Sequence, residues 1–586
     1  MEYGKHLFYE GRRKMNCGVA IDIGVQSFEK IRVRNSFYVD KTAFIKEWWE
    51  NGADVTLITR PRRFGKTLNL SMLECFFSNQ YAGRTELFEG LSVWKEEAYR
   101  QLQGTYPLIF LSFAKVKAAD YKGMKYSITK LLSDVYEQNR FLLEGGKLSE
   151  NEKEYFNSIK PGMNYAVMAD AMNALTNFMG RHYEKDVIIL LDEYDTPMQE
   201  AWLNGYWDEA VRFFKSFFNA TFKTNPHMAR GLITGITRIS KESIFSDLNN
   251  PEVITTTSEK YARYFGFTEQ EVFQALDDIG LGEEKQGVKS WYDGFTFGNM
   301  TDIYNPWSII SFMANGGKYK SYWADTSSNG LVNRLIREGS AGIKQQFEQL
   351  ISGKSIMVPI EEQIVYNQLD EDENAIWSLL LAGGYLKVIS IDDSHISYSL
   401  EEEKYELALT NHEVRRMFAK MIRGWFKNTA EVYNEFIKAL LNDDVKKMNL
   451  FMNKVALNTF SSFDSGNRPS QTAEPERFYH GFVLGMVVDL ADRYSVKSNR
   501  ESGYGRYDVM IEPLDRKGKA FLFEFKVLDR DSDEAELEDT AANALAQLEE
   551  KRYEVELIED GIAPGNIRKY GFAFEGKRCL IVLSGI

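Results

Sequence analysis

The chain has 586 residues, of which 44% are hydrophobic, 14% aromatic and 27% charged. That length is more than one hydrophobic core usually serves, so two to four domains are expected, and the aromatic content argues against extended disorder. A formal net charge of −14 excludes a protein that coats duplex DNA by charge alone, because phosphate neutralisation supplies most non-specific affinity.

Along the chain, the first segment, MEYGKHLFYEGRRKMNCG, is charged throughout and lacks the apolar core of a secretion signal. No run approaches the ~20 apolar residues of a membrane span. A cytoplasmic protein with no membrane partner is the expectation. Cys17, Cys75 and Cys579 are far apart, and the six histidines form no H-E-x-x-H cluster, so a bound metal is expected to be a hard cation held by carboxylates.

From Val55 to Ile236, strand-like runs alternate with helical patterns. The runs are Val55–Thr59, Pro107–Phe113, Val187–Leu191 and Gly231–Ile236, and Leu68, Met72, Leu73 and Phe76 keep a helical rhythm between the first two. Alternation of this kind implies a mostly parallel sheet covered by helices. After the first strand comes Thr59-Arg60-Pro61-Arg62-Arg63-Phe64-Gly65-Lys66-Thr67, opening a helix, which is where backbone amides bind phosphate. Gly65 lets the backbone approach, Lys66 can reach the β and γ oxygens, and Thr67 offers a hydroxyl to Mg²⁺. Arg60 stands where the motif's first glycine is usual; Arg60 and Arg63 are counted among the nucleotide contacts. A lone GKT is also what a basic turn capping a helix looks like. The third run ends in Asp192-Glu193, at the carboxyl end of a buried strand, where ligands of open α/β sheets bind. Asp192 would hold Mg²⁺ and Glu193 would polarise an attacking water. The fourth run leads into Thr234 and Arg238, candidates to sense the γ-phosphate and to steady developing charge; an ordinary strand end is the alternative.

The middle, roughly Phe267 to Leu450, reads as mainly helical, punctuated by aromatic clusters at Trp291–Gly298, Tyr304–Ile309 and Tyr322–Asn329 that are given no chemistry. Ser461 to Pro475 has the composition of a linker. Beyond it follow a helix at Arg477–Ala491, a hairpin at Arg506–Val527, a helix at Leu537–Tyr553 and strands at Ile567–Phe574 and Arg578–Leu583. In FLFEFKV (521–527) the phenylalanines share one face and Glu524 and Lys526 the other. A hairpin centred near Arg516 sets Asp508 opposite Glu524. Facing acids normally repel, so a divalent cation between them is implied, with Lys526 beside it to orient water or steady charge at phosphorus. A register slip of one residue would part the acids, and for ExK alone an exposed Glu–Lys pair is the plain alternative. Glu501 is a further acidic candidate, Lys497, Arg500 and Arg506 flank the segment, and Gln547 and Lys551 border the packed face of the following helix.

The segments GVQSFEKIR, FYVDKT, TRPRRFGKT, LLDEYDTPM, GITRISKESIFS, YNPWSI and YWADTSSN resemble the predicted AAA-ATPase-like proteins of bacteria, which carry a C-terminal domain of the PD-(D/E)XK nuclease superfamily. The resemblance covers nearly the whole chain, and in it the arginine at position 60 is typical. It implies an α/β protein: a P-loop ATPase-like parallel-sheet domain at 1–265, a mainly helical region at 266–460 and a restriction-endonuclease-like α/β domain at 461–586. Position by position, Gly65, Lys66 and Thr67 match the nucleotide loop and Asp192 and Glu193 the metal and water positions. Asp508, Glu524 and Lys526 match the D…ExK core, Gln547 the glutamine of the next helix, and Glu476 or Glu501 the helical acid. ATP and Mg²⁺ are the implied cofactors, DNA or RNA the implied partner, and an oligomer is compatible with this. The leading reading is an ATPase coupled to a Mg²⁺-dependent nuclease; its rival is a nucleotide-driven switch or scaffold that grips nucleic acid or protein without cutting. A small-molecule kinase would need an acceptor pocket that the sequence does not reveal.

Overall fold

The computed structural model describes residues 19–223, 225–238, 251–323, 330–362, 369, 372–392, 403–425, 430–463, 473–502, 505–528, 534–575 and 578–585. The chain divides into two compact units. One comprises Met1–Ser327, Val358–Tyr405 and Thr410–Val414; the other comprises Ser328–Met357, Glu406–Leu409 and Arg415–Ile586. Among the described residues no helix is long and apolar enough to cross a membrane.

The first unit is built on five strands: β1 (Val55–Thr59), β2 (Leu108–Ser112), β3 (Val187–Asp192), β4 (Met228–Gly235) and β5 (Glu252–Ile254). All are parallel, in the order β2-β3-β4-β1-β5. Strands β1 and β3 are buried along their whole length, as the apolar run Val187–Leu191 of β3 and the Val55, Leu57 and Ile58 of β1 require when both faces are covered. Burying each such side chain is worth ~1.5–3 kcal/mol over leaving it exposed. The helix Lys66–Phe77 packs Leu70, Leu73, Phe76 and Phe77 into one core with Phe28, Phe44, Trp48, Ile58, Leu190 and Leu232.

The middle region contains helices, such as Glu269–Asp278 and Pro306–Ala314, but short strands as well: β6 (Phe267–Thr268), β7 (Phe295–Phe297), β8 (Met300–Tyr304), β9 (Ile356–Pro359), β10 (Leu386–Asp392) and β11 (Lys404–Leu409). The first three form an antiparallel sheet in the order β6-β8-β7. Phe295 and Phe297 are buried in the short β7, too brief for alternation to be read from sequence.

In the second unit β12 (Tyr494–Ser502), β13 (Gly505–Pro513), β14 (Ala520–Val527), β15 (Ile567–Glu575) and β16 (Arg578–Leu583) form a sheet in that order. Only β14 and β15 pair in parallel, joined across the helix Leu537–Lys551. One face of β14 stacks Phe523 and Phe525 on Tyr570, Phe572 and Phe574. The other sets Leu522 among Met510, Leu548, Tyr553, Leu557 and Ile562. Burial fades along β14, from Ala520 through Glu524 to the exposed Val527, so the polar residues stand where the strand leaves the core.

Candidate functional site

The first site forms where strand ends stand level. Strand β4 lies between β1 and β3, pairing Gly235 with Thr59 and Ile233 with Leu191. After β1 the chain turns through Arg60–Gly65 into the helix Lys66–Phe77. Gly65 caps that helix at φ 82°, a left-handed conformation that suits glycine, and a Cβ there would meet nothing within 4 Å. The first-turn amides have no partner inside the helix and, with the helix dipole, favour an anion at this open end. The nearly buried Lys66 ammonium donates to the carbonyls of Arg60 and Pro61 at 3.0 Å each and lies 3.8 Å from Glu193. Asp192, 1% exposed, accepts from the hydroxyls of Thr67 and Thr234, both at 2.8 Å. Burial, and then the charge of Glu193, raises the Asp192 carboxyl above its ordinary value, while the two hydroxyls and Lys66 oppose that. A hydroxyl and a carboxylate held this close are the hard-oxygen donor set Mg²⁺ takes, so the residues fit the ion.

Glu193 sits at φ 54°, uncommon for a residue with a side chain. Asp195 helps to hold the turn. Its buried carboxylate accepts from the amides of Ile236 and Thr237 at 2.9 and 2.8 Å and from the Thr237 hydroxyl at 2.9 Å, tying the turn after β3 to the one after β4. Gly235 leaves room for this: a Cβ there would lie 2.6 Å from the Tyr194 ring. The sequence assigns no role to Asp195 or Thr237, because no local spacing connects them.

Three arginines read as candidate contacts of the nucleotide have partners within the protein. The Arg60 side chain, expected at the nucleotide, is fully buried beneath the loop. It donates to the carbonyls of Thr59 at 2.9 Å, of Thr255, and of Lys260 at 3.4 Å. Those three carbonyls hold the side chain inward, and burial pulls the guanidinium down to about 9. Arg60→Ala strands those carbonyls and is expected to lower unfolding free energy by about 2–4 kcal/mol in a denaturant melt without nucleotide. Arg63 lies over the Trp307 ring, 4.3 Å from its centroid, and Arg238 faces Glu362 at 3.9 Å.

The second site is in the C-terminal sheet. Strands β13 and β14 pair Val509 with Phe523, Met510 with Leu522 and Ile511 with Phe521. This is the register of a hairpin centred at Arg516, and it runs on towards Asp508 and Glu524. One oxygen of Asp508 accepts from the Phe525 amide at 2.8 Å. Glu524 is 4% exposed; its Oε1 accepts from Gln547 Nε2, and its Oε2 is buried without a hydrogen-bond partner. Burial first, and the neighbouring Asp508 charge second, push the Glu524 carboxyl up to about 8 against the pull of Lys526 and Gln547. Lys526 is half-buried on the same face. Gly571, paired with Glu524 on β15, lets the helix come close: a Cβ there would sit 2.5 Å from the Ala541 carbonyl. That approach brings Gln547 onto Glu524. A buried carboxylate oxygen without a donor, next to a second acid, fits a divalent cation. Lys497, read as a flanking basic residue, is neutralised by Glu512 at 3.1 Å and Glu556 at 2.9 Å. Strand β12, which carries it, was not anticipated.

Residues 22–245 match the family model of a predicted AAA-ATPase, and residues 474–583 match that of the PD-(D/E)XK nuclease superfamily. The chain joins an AAA-ATPase-like domain to a PD-(D/E)XK superfamily domain. It is also 24% identical, over 549 residues, to an uncharacterized protein from the vnfD 5′ region of Azotobacter chroococcum mcd 1; the match covers 91% of this chain and 92% of that protein. A solved Walker-type ATPase of Pyrococcus abyssi aligns at 13% identity and TM-score 0.33, covering 64% of this chain and 94% of its own. AAA-ATPase-like and PD-(D/E)XK domains in general use nucleotide and a divalent metal. In the PD-(D/E)XK domain, Glu476 on the helix Ala473–Leu490 and Glu501 on β12 are the candidate extra acids, and both side chains lie outside the described residues. So do Ile239–Ser246 of GITRISKESIFS and Ala324–Asn329 of YWADTSSN.

Proposed function

We propose that the AAA-ATPase-like domain binds and hydrolyses ATP with Mg²⁺, and that the PD-(D/E)XK domain cuts a phosphodiester bond of DNA or RNA with Mg²⁺, in the bacterial cytoplasm. The observation that carries the nuclease half is the unpartnered, buried Oε2 of Glu524 beside Asp508. A divalent cation there supplies charge to a phosphoryl oxygen and acidifies a water. Asp508 and Glu524 hold the cation, Gln547 steadies the other Glu524 oxygen, and Lys526 orients the attacking water or meets the charge growing at phosphorus. In the ATPase half the amides at the helix start and Lys66 take the β and γ phosphates. Thr67 and Asp192 hold Mg²⁺, Thr234 keeps Asp192 in place, and Glu193 draws the proton from the attacking water. The test is incubation of the whole chain with single- and double-stranded DNA and RNA, with Mg²⁺, with and without ATP. Product in none of these mixtures ends the nuclease half.

The raised Glu524 carboxyl adds a pH signature. Because the fold favours its protonated form, metal-free stability falls as pH rises from the ordinary carboxylate range to about 8 and levels off above. Mg²⁺ needs the carboxylate, so its affinity rises with pH over the same window, by up to about tenfold per unit. Thermal melts in EDTA and in Mg²⁺ between pH 5 and 9 check both slopes, and Glu524→Gln is expected to remove them.

A second reading, a nucleotide-dependent switch or scaffold, is favoured by the net charge of −14 and by the internal neutralisation of Lys497. It predicts ATP binding without any nucleic-acid product.

A further inference from the structure

Every residue of the loop from Arg60 to Phe64 meets the region that follows the parallel sheet, within the same unit. The Arg60 guanidinium lies 4.5 Å from the Phe297 ring centroid. Pro61 fills the space that Gly384 leaves open, where a Cβ would stand 2.8 Å away. The Arg62 carbonyl accepts from Asn305 Nδ2 at 3.3 Å, and Arg63 lies 4.3 Å over Trp307. Phe64 packs edge-on against Phe295 and Phe297, at 4.7 and 5.3 Å. Apart from Gly384, these partners belong to the clusters WYDGFTFG and YNPWSI, which neither domain's chemistry uses.

We propose that Asn305 and Trp307 are positioning residues of the nucleotide site, so that affinity for a nucleoside triphosphate is set in part by the middle region. This rests on the reading of Gly65–Thr67 as the phosphate loop. Arg63 stands at φ 67°, a left-handed conformation that a side chain disfavours and that surrounding contacts must hold. Trp307 supplies a flat face for its guanidinium. Asn305 does two things at once. Its Oδ1 caps the helix Pro306–Ala314 by accepting from the amides of Trp307 at 2.9 Å and Ser308 at 3.4 Å, and its Nδ2 reaches the loop. A loop that lacks the usual first glycine thus takes its shape from outside, and among the described residues Arg63 forms no ion pair that would occupy its charge.

The test titrates fluorescent mant-ATP with Mg²⁺ into the whole chain, with Lys66→Ala as the control. No binding by the parent ends the phosphate-loop reading itself. With binding in the parent, Trp307→Ala is expected to weaken it about tenfold while Trp307→Phe stays within about threefold, and the nucleotide-free melting points of the two variants should agree. A Trp307→Ala dissociation constant within about twofold of the parent overturns the proposal. Should Trp307→Ala not fold, amide hydrogen exchange of the parent decides. Saturating nucleotide is expected to slow exchange at 305–309, and unchanged exchange there overturns the coupling.

Discussion

Asp508→Ala and Lys526→Ala are each expected to reduce Mg²⁺-dependent cleavage by at least about a hundredfold, with the fold intact. Both side chains stand at the end of the sheet where burial fades, so neither truncation opens a cavity in the core formed by Leu522, Met510 and Leu548. Asp508 accepts a hydrogen bond from the Phe525 amide, and the loss of that bond is worth about 1 kcal/mol of stability. Its larger effect is on the cation, which would keep one carboxylate of two. Lys526→Ala leaves both acids in place and removes only the ammonium, so it separates metal binding from the chemical step. Mg²⁺ affinity should hold or weaken slightly while the rate falls. Two variants that cut at the parent rate would show that the acids and lysine are not the cutting machinery, whatever product the parent gives.

The second large effect is in the ATPase half. Lys66→Ala is expected to weaken ATP binding by about a hundredfold or more, because a nearly buried ammonium at the mouth of the helix is lost where phosphate charge gathers. Glu193→Gln should behave differently. It keeps shape and left-handed backbone, removes the charge 3.8 Å from Lys66, and should leave binding within about threefold while turnover falls about a hundredfold to a thousandfold. Calorimetric titration and phosphate release measure the two quantities separately. Turnover that persists in Glu193→Gln assigns the water to another group; parent-level binding in Lys66→Ala removes the loop from the site.

Much of this architecture is written in local patterns. Apolar residues mark β1 and β3, and the Arg60–Thr67 loop follows a strand and opens a helix, as a phosphate loop would. The register that pairs Val509 with Phe523 is the one obtained by counting back from a turn at Arg516, since strand faces alternate and a hairpin has one centre. The convergence of Thr67 and Thr234 on Asp192 is legible only in outline, as polar residues at the ends of two predicted strands and the start of a helix.

Other features depend on who meets whom across long stretches of chain. Arg60 looked like a phosphate contact because it stands in the loop, yet the carbonyls of Thr255 and Lys260 draw it beneath. Arg62 and Asn305 are 243 residues apart, and nothing in either segment names the other. The pairing of Asp195 with Thr237, the approach allowed by Gly571 and the lone oxygen of Glu524 are of the same kind. Periodicity and turn chemistry act over a few residues, so the sequence alone marks the longer buried strands and helices and the faces they present, while short strands such as β7 escape it. Side-chain partners that come together only once those faces are buried against one another are decided by packing, and that packing turned Arg60 into a brace and set the aromatic clusters against the Arg60–Phe64 loop.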